Sequence, residues 1–205
     1  MALAEITSQD GHEVSALVST VTEGFERVSM HGVRVALLEQ QAAALGLPLR
    51  IVHIPPSATN EIYESRMAAT LEVFRADGVR TVAFGDLFLA DIRAYREEWL
   101  SRLRMRAIFP LWQRDTADLA RIFIAQGFEA IVTCIDARTL DRSFAGRRFD
   151  AQFLTTLPMS VDPCGENGEF HTFVFNGPIF QRRVQVRPGE IVLRDSWYFC
   201  DLLPV

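Results

Sequence analysis

Between residues 14 and 86 the chain repeats one pattern: a short β-branched apolar run, a stretch with helical spacing, then another short apolar run. "VSALVST" (14–20), "LRIVHI" (49–54) and "VRTVAFGD" (79–86) are the apolar runs. Between them, Val33, Leu37, Leu38, Ala44 and Leu45 form one helical stripe that Gly46 is placed to end. Tyr63, Met67, Leu71 and Phe74 form a second, with Asn60 as its cap, Glu61 and Glu64 in its first turn, and Gly78 as its stop. Short buried strands alternating with helices imply right-handed βαβ units and a parallel sheet. Ligands of such sheets bind beyond the carboxyl ends of the strands. Three segments lie at such ends: "STVTEGF" (19–25), "HIPPS" (53–57) and "FGDLF" (84–88).

The second half begins in the same texture. An arginine-rich helix is predicted over about 91–105, another from Asp115 and Asp118 to Gly127, and a buried strand over 129–135. From about residue 140 the alternation becomes two-fold, in "EFHTFVF" (169–175), "RRVQVRP" (182–188) and, after a Pro188–Gly189 turn, "EIVLRDSWYF" (190–199). The reading is an α/β fold: a Rossmann-like domain over 1–138 and a smaller α+β subdomain over 139–205, with a cleft between them as the pocket.

Composition narrows the function classes. The net charge of −5 argues against a general affinity for nucleic acid. No apolar run reaches the roughly 20 residues that span a bilayer, and "MALAEITSQDG" is not a signal peptide. Cys134, Cys164 and Cys200 match neither a disulfide framework nor a zinc site, and no metal cluster is read elsewhere; a reducing cytoplasm is the expected compartment.

Several residues invite both a functional and a plain reading. Gly85 and Asp86 end a buried strand, where a glycine admits a ligand and an aspartate holds magnesium or a hydroxyl; a strand-to-helix turn with Asp86 as cap explains them equally. His31 faces a ligand from a helix start, or caps it. Trp112 stacks on a flat ligand, or anchors a core. Arg147 and Arg148 meet phosphate, or solvent.

The stretch "VDPCGENGEFHTFVFNGPIF" (161–180) differs in kind. Gly165 and Gly168 exclude a helix and let backbone approach a ligand. In a strand from Glu169, the side chains of Glu169, His171 and Phe173 share one face, polar at the rim and aromatic within. Glu166, Glu169 and His171 can orient an amine, accept its proton or bind a metal; a hairpin with solvated carboxylates remains the alternative.

"GENGEFHTFVFNGPIF" resembles the signature of the diphthine–ammonia ligase family, ATP-binding proteins of the adenine nucleotide alpha hydrolase group related to N-type ATP pyrophosphatases. "GVRTVAFGDL" (78–87), "FPLWQRDTADLARIFIAQGFEAIVTCID" (109–136) and "FAGRRFD" (144–150) stand in the family's order, so the resemblance covers about residues 14–182. It implies a HUP-type parallel sheet, ATP with Mg2+, adenylation of an acceptor carboxylate, and ammonia displacing AMP to leave an amide. It implies that Thr20, His31, Gly85 and Asp86 lie near the nucleotide. Glu166, Glu169 and His171 are the catalytic candidates, and Gly165, Asn167, Gly168 and Thr172 line the acceptor and ammonia side.

One departure matters. The family opens with a strand and an S-G-G-x-D-S phosphate loop, whereas "MALAEITSQDGHEVSALVST" resembles the helix that follows such a loop. An internal start, a truncation and a genuine short paralogue each explain this. The expectations are weak ATP turnover and an unpaired strand edge, which is a route to a homo-oligomer. Two functional readings stay open: an impaired ATP-dependent amide-forming ligase, and a non-catalytic nucleotide or small-molecule binder.

Overall fold

A computed structural model describes residues 1–8 and 11–205. Helix α1 (Ala2–Ser8) leads to strand β1 (Leu17–Thr22), which pairs with the short antiparallel β2 (Arg27–Val28). Helix α2 (Val35–Leu45) then crosses over to β3 (Leu49–Ile54). β1 and β3 run parallel, in register from Leu17 opposite Leu49 to Thr22 opposite Ile54. Gly46 ends α2 at φ 70°, the left-handed conformation that favours glycine.

Helix α3 (Asn60–Ala76) follows. Its cap is Thr59, whose hydroxyl accepts from the Ile62 N–H at 3.4 Å; the cap expected at Asn60 falls one residue earlier, and Asn60 is already helical. Strand β4 (Thr81–Ala83), helix α4 (Ala90–Arg102) and strand β5 (Arg106–Ile108) make a second parallel unit. Met67 and Leu71 of α3 and Trp99 and Leu100 of α4 pack with Val52 and Ile54 of β3 in one core. Among the described residues, the pairs β1–β3 and β4–β5 belong to separate sheets. A groove of about 470 Å³ lies between them, walled by Val18 and Ala83 and by Met67 and Leu71 of α3.

Helix α5 (Thr116–Ala125) is capped by Asp115, which accepts from Asp118 N–H at 2.8 Å. The C-terminal sheet contains β6 (Glu129–Asp136), β7 (Phe170–Asn176), β8 (Val186–Arg194) and β9 (Trp197–Pro204), in the order β7-β6-β9-β8 and antiparallel throughout. Helix α6 (Ala151–Thr156) packs beside it, capped by Asp150. β6 therefore hydrogen-bonds to strands that follow it in sequence, and a division after residue 138 runs between β6 and its own sheet. The turn expected at Pro188–Gly189 is not a turn. Both residues lie inside β8 at a register irregularity, and the chain reverses at Asp195, φ 53°. A proline tolerated at a bulge and a glycine against the Asp201 carbonyl explain the misleading pair.

The molecule is thus α/β, with a Rossmann-like core of parallel strand pairs and a C-terminal α+β part. Leu37 and Ala44 of α2 bury into the C-terminal core with Phe153, Phe170 and Phe175, so the two parts share packing. An ion cluster joins them as well. Arg34 grips both oxygens of Asp201 on β9, at 3.0 and 2.6 Å. Arg27 donates to Asp201 at 2.9 Å and to the Gly32 carbonyl at 2.7 Å.

The Arg34 guanidinium first, then Arg27, hold the Asp201 carboxyl down at about 2, against burial, which acts the other way. A carboxylate whose folded-state pKa lies below its unfolded value stabilises the fold above the unfolded value, near 4, and loses that contribution as pH falls toward 2. Asp201→Asn is expected to cost about 1–2 kcal/mol at pH 7. In urea titrations at stepped pH, the gap between wild type and variant should close between about pH 4 and pH 2.

Candidate functional site

A cavity of about 630 Å³ opens where the carboxyl ends of β1 and β3 face the C-terminal sheet. From the first half come Thr20 on β1, Ile54 at the end of β3, Tyr63 on α3, and the turn Ser29–Met30–His31 after β2. Met30 adopts φ 65°, which lets the chain reverse there and sends His31 inward. From the second half come Asp136 and Arg138 at the end of β6, the turn residues Asn167 and Gly168, His171 on β7 and Trp197 at the start of β9. Strand register makes the second wall: Cys134 stands opposite His171, and Asp136 opposite Trp197.

The His171 ring sits between two others. Its centroid is 4.4 Å from that of His31, tilted 40°, and 6.2 Å from that of Trp197, nearly parallel at 19°. The Nδ1 of His31 lies 3.0 Å from the Ser29 carbonyl, which can only accept, so Nδ1 carries a proton and donates. Burial pushes His171 down to about 4, with a smaller push from His31. At neutral pH it is an uncharged imidazole, which burial keeps from protonating.

Behind the Asn167–Gly168 rim the turn is built on carboxylates. Asp162 accepts from the Cys164 and Glu166 N–H groups at 3.0 and 2.9 Å. Glu169, 6% exposed, accepts through Oε1 from the Asp162 N–H at 2.9 Å and the Asn167 amide at 3.0 Å. Its Oε2 is buried and has no hydrogen-bond partner among the described residues. Glu166 reaches across the molecule and accepts from the N–H groups of Leu87 at 2.6 Å and Phe88 at 3.4 Å. Burial raises its pKa, partly offset by those two N–H groups. Gly165 adopts φ 70°, and a Cβ there would come within 2.6 Å of the Phe170 carbonyl.

The cavity thus brings together Thr20, His31, Asn167, Gly168 and His171 of the residues singled out in the sequence. Glu166 and Glu169 stand behind its wall, bonded to backbone. Gly165 shapes the turn, and Thr172, next to His171 on β7, points to the other face of the strand. Gly85 and Asp86 do not line the cavity. Asp86 pairs with Arg96 of α4 at 3.2 Å, and that guanidinium also covers the Phe84 ring at 4.3 Å. The sequence reading passed over Ser29, Met30, Tyr63, Asp136, Arg138 and Trp197. Asp136 and Arg138 were within reach, because they close a buried strand just as Gly85 and Asp86 do. Trp197 was not, because only the β6–β9 pairing brings it here. The other candidates lie elsewhere: Arg147 covers the Phe144 ring, and Arg148 pairs with Glu129.

No helix among the described residues is long and apolar enough to cross a membrane. Nor do three or more His, Cys, Asp or Glu side chains among them gather as a metal cage.

Residues 1–107 match the family described as the diphthamide synthase N-terminal domain, and residues 115–203 that described as the diphthamide synthase C-terminal domain. The chain is also similar to proteins named diphthine–ammonia ligase. One from Rattus norvegicus is 26% identical over 94% of this chain and 80% of its own length. One from Homo sapiens is 26% identical over 80% of this chain and 67% of its own length. One from Schizosaccharomyces pombe is 27% identical over 60% of this chain, which corresponds to 21% of that longer protein.

The depressed pKa of His171 carries a stability consequence. Between about pH 6.5 and pH 4 the unfolded chain takes up a proton that the folded chain refuses, so this group weakens the fold as pH falls through that window. His171→Phe removes the titration. Its urea midpoint should fall less than that of wild type between pH 6.5 and pH 4.

Proposed function

Because the chain belongs to the diphthamide synthase family, we propose that it is an ATP-dependent ligase that joins a carboxylate to ammonia as an amide, releasing AMP and pyrophosphate. The observation that carries this reading is the cavity itself. One wall is the carboxyl end of a parallel strand pair, the position at which α/β sheets bind ligands, and the other joins the ends of β6, β7 and β9 to the Asn167–Gly168 turn. The relatives named diphthine–ammonia ligase supply the reaction class; the acceptor here is a carboxylate-bearing group.

The residues divide accordingly. Thr20, Ser29 and His31 face the nucleotide, with Met30, Tyr63 and Trp197 as flat or polarisable surfaces for its ring system. Asn167, Gly168 and His171 face the acceptor and ammonia. In the first step an oxygen of the acceptor carboxylate attacks the α-phosphorus, the bond from that phosphorus to the bridging oxygen breaks, and pyrophosphate leaves. In the second the nitrogen lone pair attacks the acyl carbon, the bond to AMP breaks, and one N–H proton departs. That proton passes to solvent, and His171, held uncharged by burial, is suited to hydrogen-bond the nitrogen and orient its lone pair rather than to keep its proton. Glu169, buried with one free oxygen, is suited to hold the nitrogen donor. The bonds of Glu166 to Leu87 and Phe88 support a positioning role rather than a direct one. Magnesium, when bound, neutralises phosphate charge. It takes most of its ligands from phosphate and water and needs only one or two carboxylates. Asp136, the carboxylate lining the cavity, is the residue that would hold it.

A non-catalytic nucleotide binder is the second reading. It is favoured by the scarcity of positive charge in the cavity lining, where Arg138 is the one arginine or lysine among the described residues. The test is incubation with ATP, magnesium, ammonium chloride and a panel of carboxylates, followed by AMP measurement. Release that requires both ammonium and one carboxylate is the expected result. Glu169→Gln and His171→Phe should each cut it by about a hundredfold. Full amide formation by Glu169→Gln would remove that residue from the acceptor side. ATP binding without AMP from any carboxylate would support the second reading.

A further inference from the structure

Asp136 and Arg138 are the only carboxylate and the only arginine or lysine lining the cavity among the described residues. They are bound to each other: the guanidinium donates to both carboxylate oxygens, with the shortest contact at 2.6 Å. The partners are unequal. The Asp136 side chain is 8% exposed and that of Arg138 72%. Asp136 is also fixed by its backbone, its N–H donating to the Glu169 carbonyl at 2.9 Å, and its Oδ1 accepts the Arg138 backbone N–H at 2.9 Å. One member is therefore part of the wall, and the other is an exposed side chain at the rim.

We propose that Arg138 is the anion-binding residue of this cavity, parked on Asp136 when the cavity is empty and transferred to the phosphates of the nucleotide when it is filled. This rests on the nucleotide reading above and adds the residue that reads the nucleotide's charge. A polyphosphate is held better where a cationic side chain meets it, and Arg138 is the cationic side chain in this lining among the described residues. His171 is neutral at working pH. The nearby arginines of the first half are committed elsewhere: Arg27 and Arg34 to Asp201, and Arg96 to Asp86. An arginine fork matches phosphate oxygens in pairs. Its present ion pair, open to water on the guanidinium side, is weak enough to exchange. After the exchange Asp136 keeps its hydrogen bond from the Arg138 backbone N–H.

The test compares ATP with adenosine, which share the ring system and sugar and differ in phosphate. Calorimetry on the full chain, with wild type, Arg138→Lys and Arg138→Ala, reads both affinities, and thermal melting checks the fold. Arg138→Ala should weaken ATP by about tenfold or more while leaving adenosine within about twofold, and Arg138→Lys should fall between. ATP binding by wild type should also decline more steeply with salt than that of Arg138→Ala. Equal loss of ATP and adenosine in Arg138→Ala would show a structural role and overturn the proposal, as would unchanged ATP affinity. Wild type binding both ligands equally well would sink this inference alone. Wild type binding neither would sink the nucleotide reading and this inference with it.

Discussion

The cavity depends on three carboxylates that spend their lone pairs on backbone. A tight turn carries N–H groups that no strand or helix partner satisfies, and buried N–H groups must find acceptors. Asp162 supplies one carboxylate oxygen to two such groups of the turn, and Glu169 fixes the Asp162 N–H from the other end. Glu166 does the same at longer range for Leu87 and Phe88, in the loop that leads into α4. The density of acids in this segment is thus answered largely by local bonding. What remains over is one oxygen of Glu169, which gains its chemical interest from the fact that its neighbours are satisfied.

The second wall depends on register. His171, Asp136 and Trp197 come from three strands, and they meet because β7 and β9 flank β6 with residues 171 and 197 near its end. A slip of one residue in either pairing would turn His171 or Trp197 to the opposite face. The apolar faces of these strands, carrying Phe170, Phe173, Phe175 and Ile135, bury in the aromatic core and make such a slip costly.

Much of this was legible from local pattern. β3, the glycine stop of α2, the Asp115 cap and the glycine-braced turn each follow from a few adjacent residues. What failed was non-local. "EAIVTCI" reads as a strand buried on both faces, and such a strand looks the same whether its neighbours run parallel or antiparallel. Asp86 at a strand end looked like a ligand group, because nothing nearby announces that Arg96, ten residues on, claims it. Pro188–Gly189 looked like a turn because a bulge uses the same residues. Trp197 and Arg138 acquire meaning only once strands far apart in sequence are paired.

The division of the parallel strands into two separate pairs has a consequence for how the molecule opens. The β4–β5 unit has only two strands and is marginal by itself, and across the groove between β1 and β4 the connection is made by side chains of α3 rather than by a backbone ladder. The four-stranded C-terminal sheet has no such seam. The backbone amides of β4 and β5 are therefore expected to exchange with solvent ahead of those of β6, which a ladder ties on both sides.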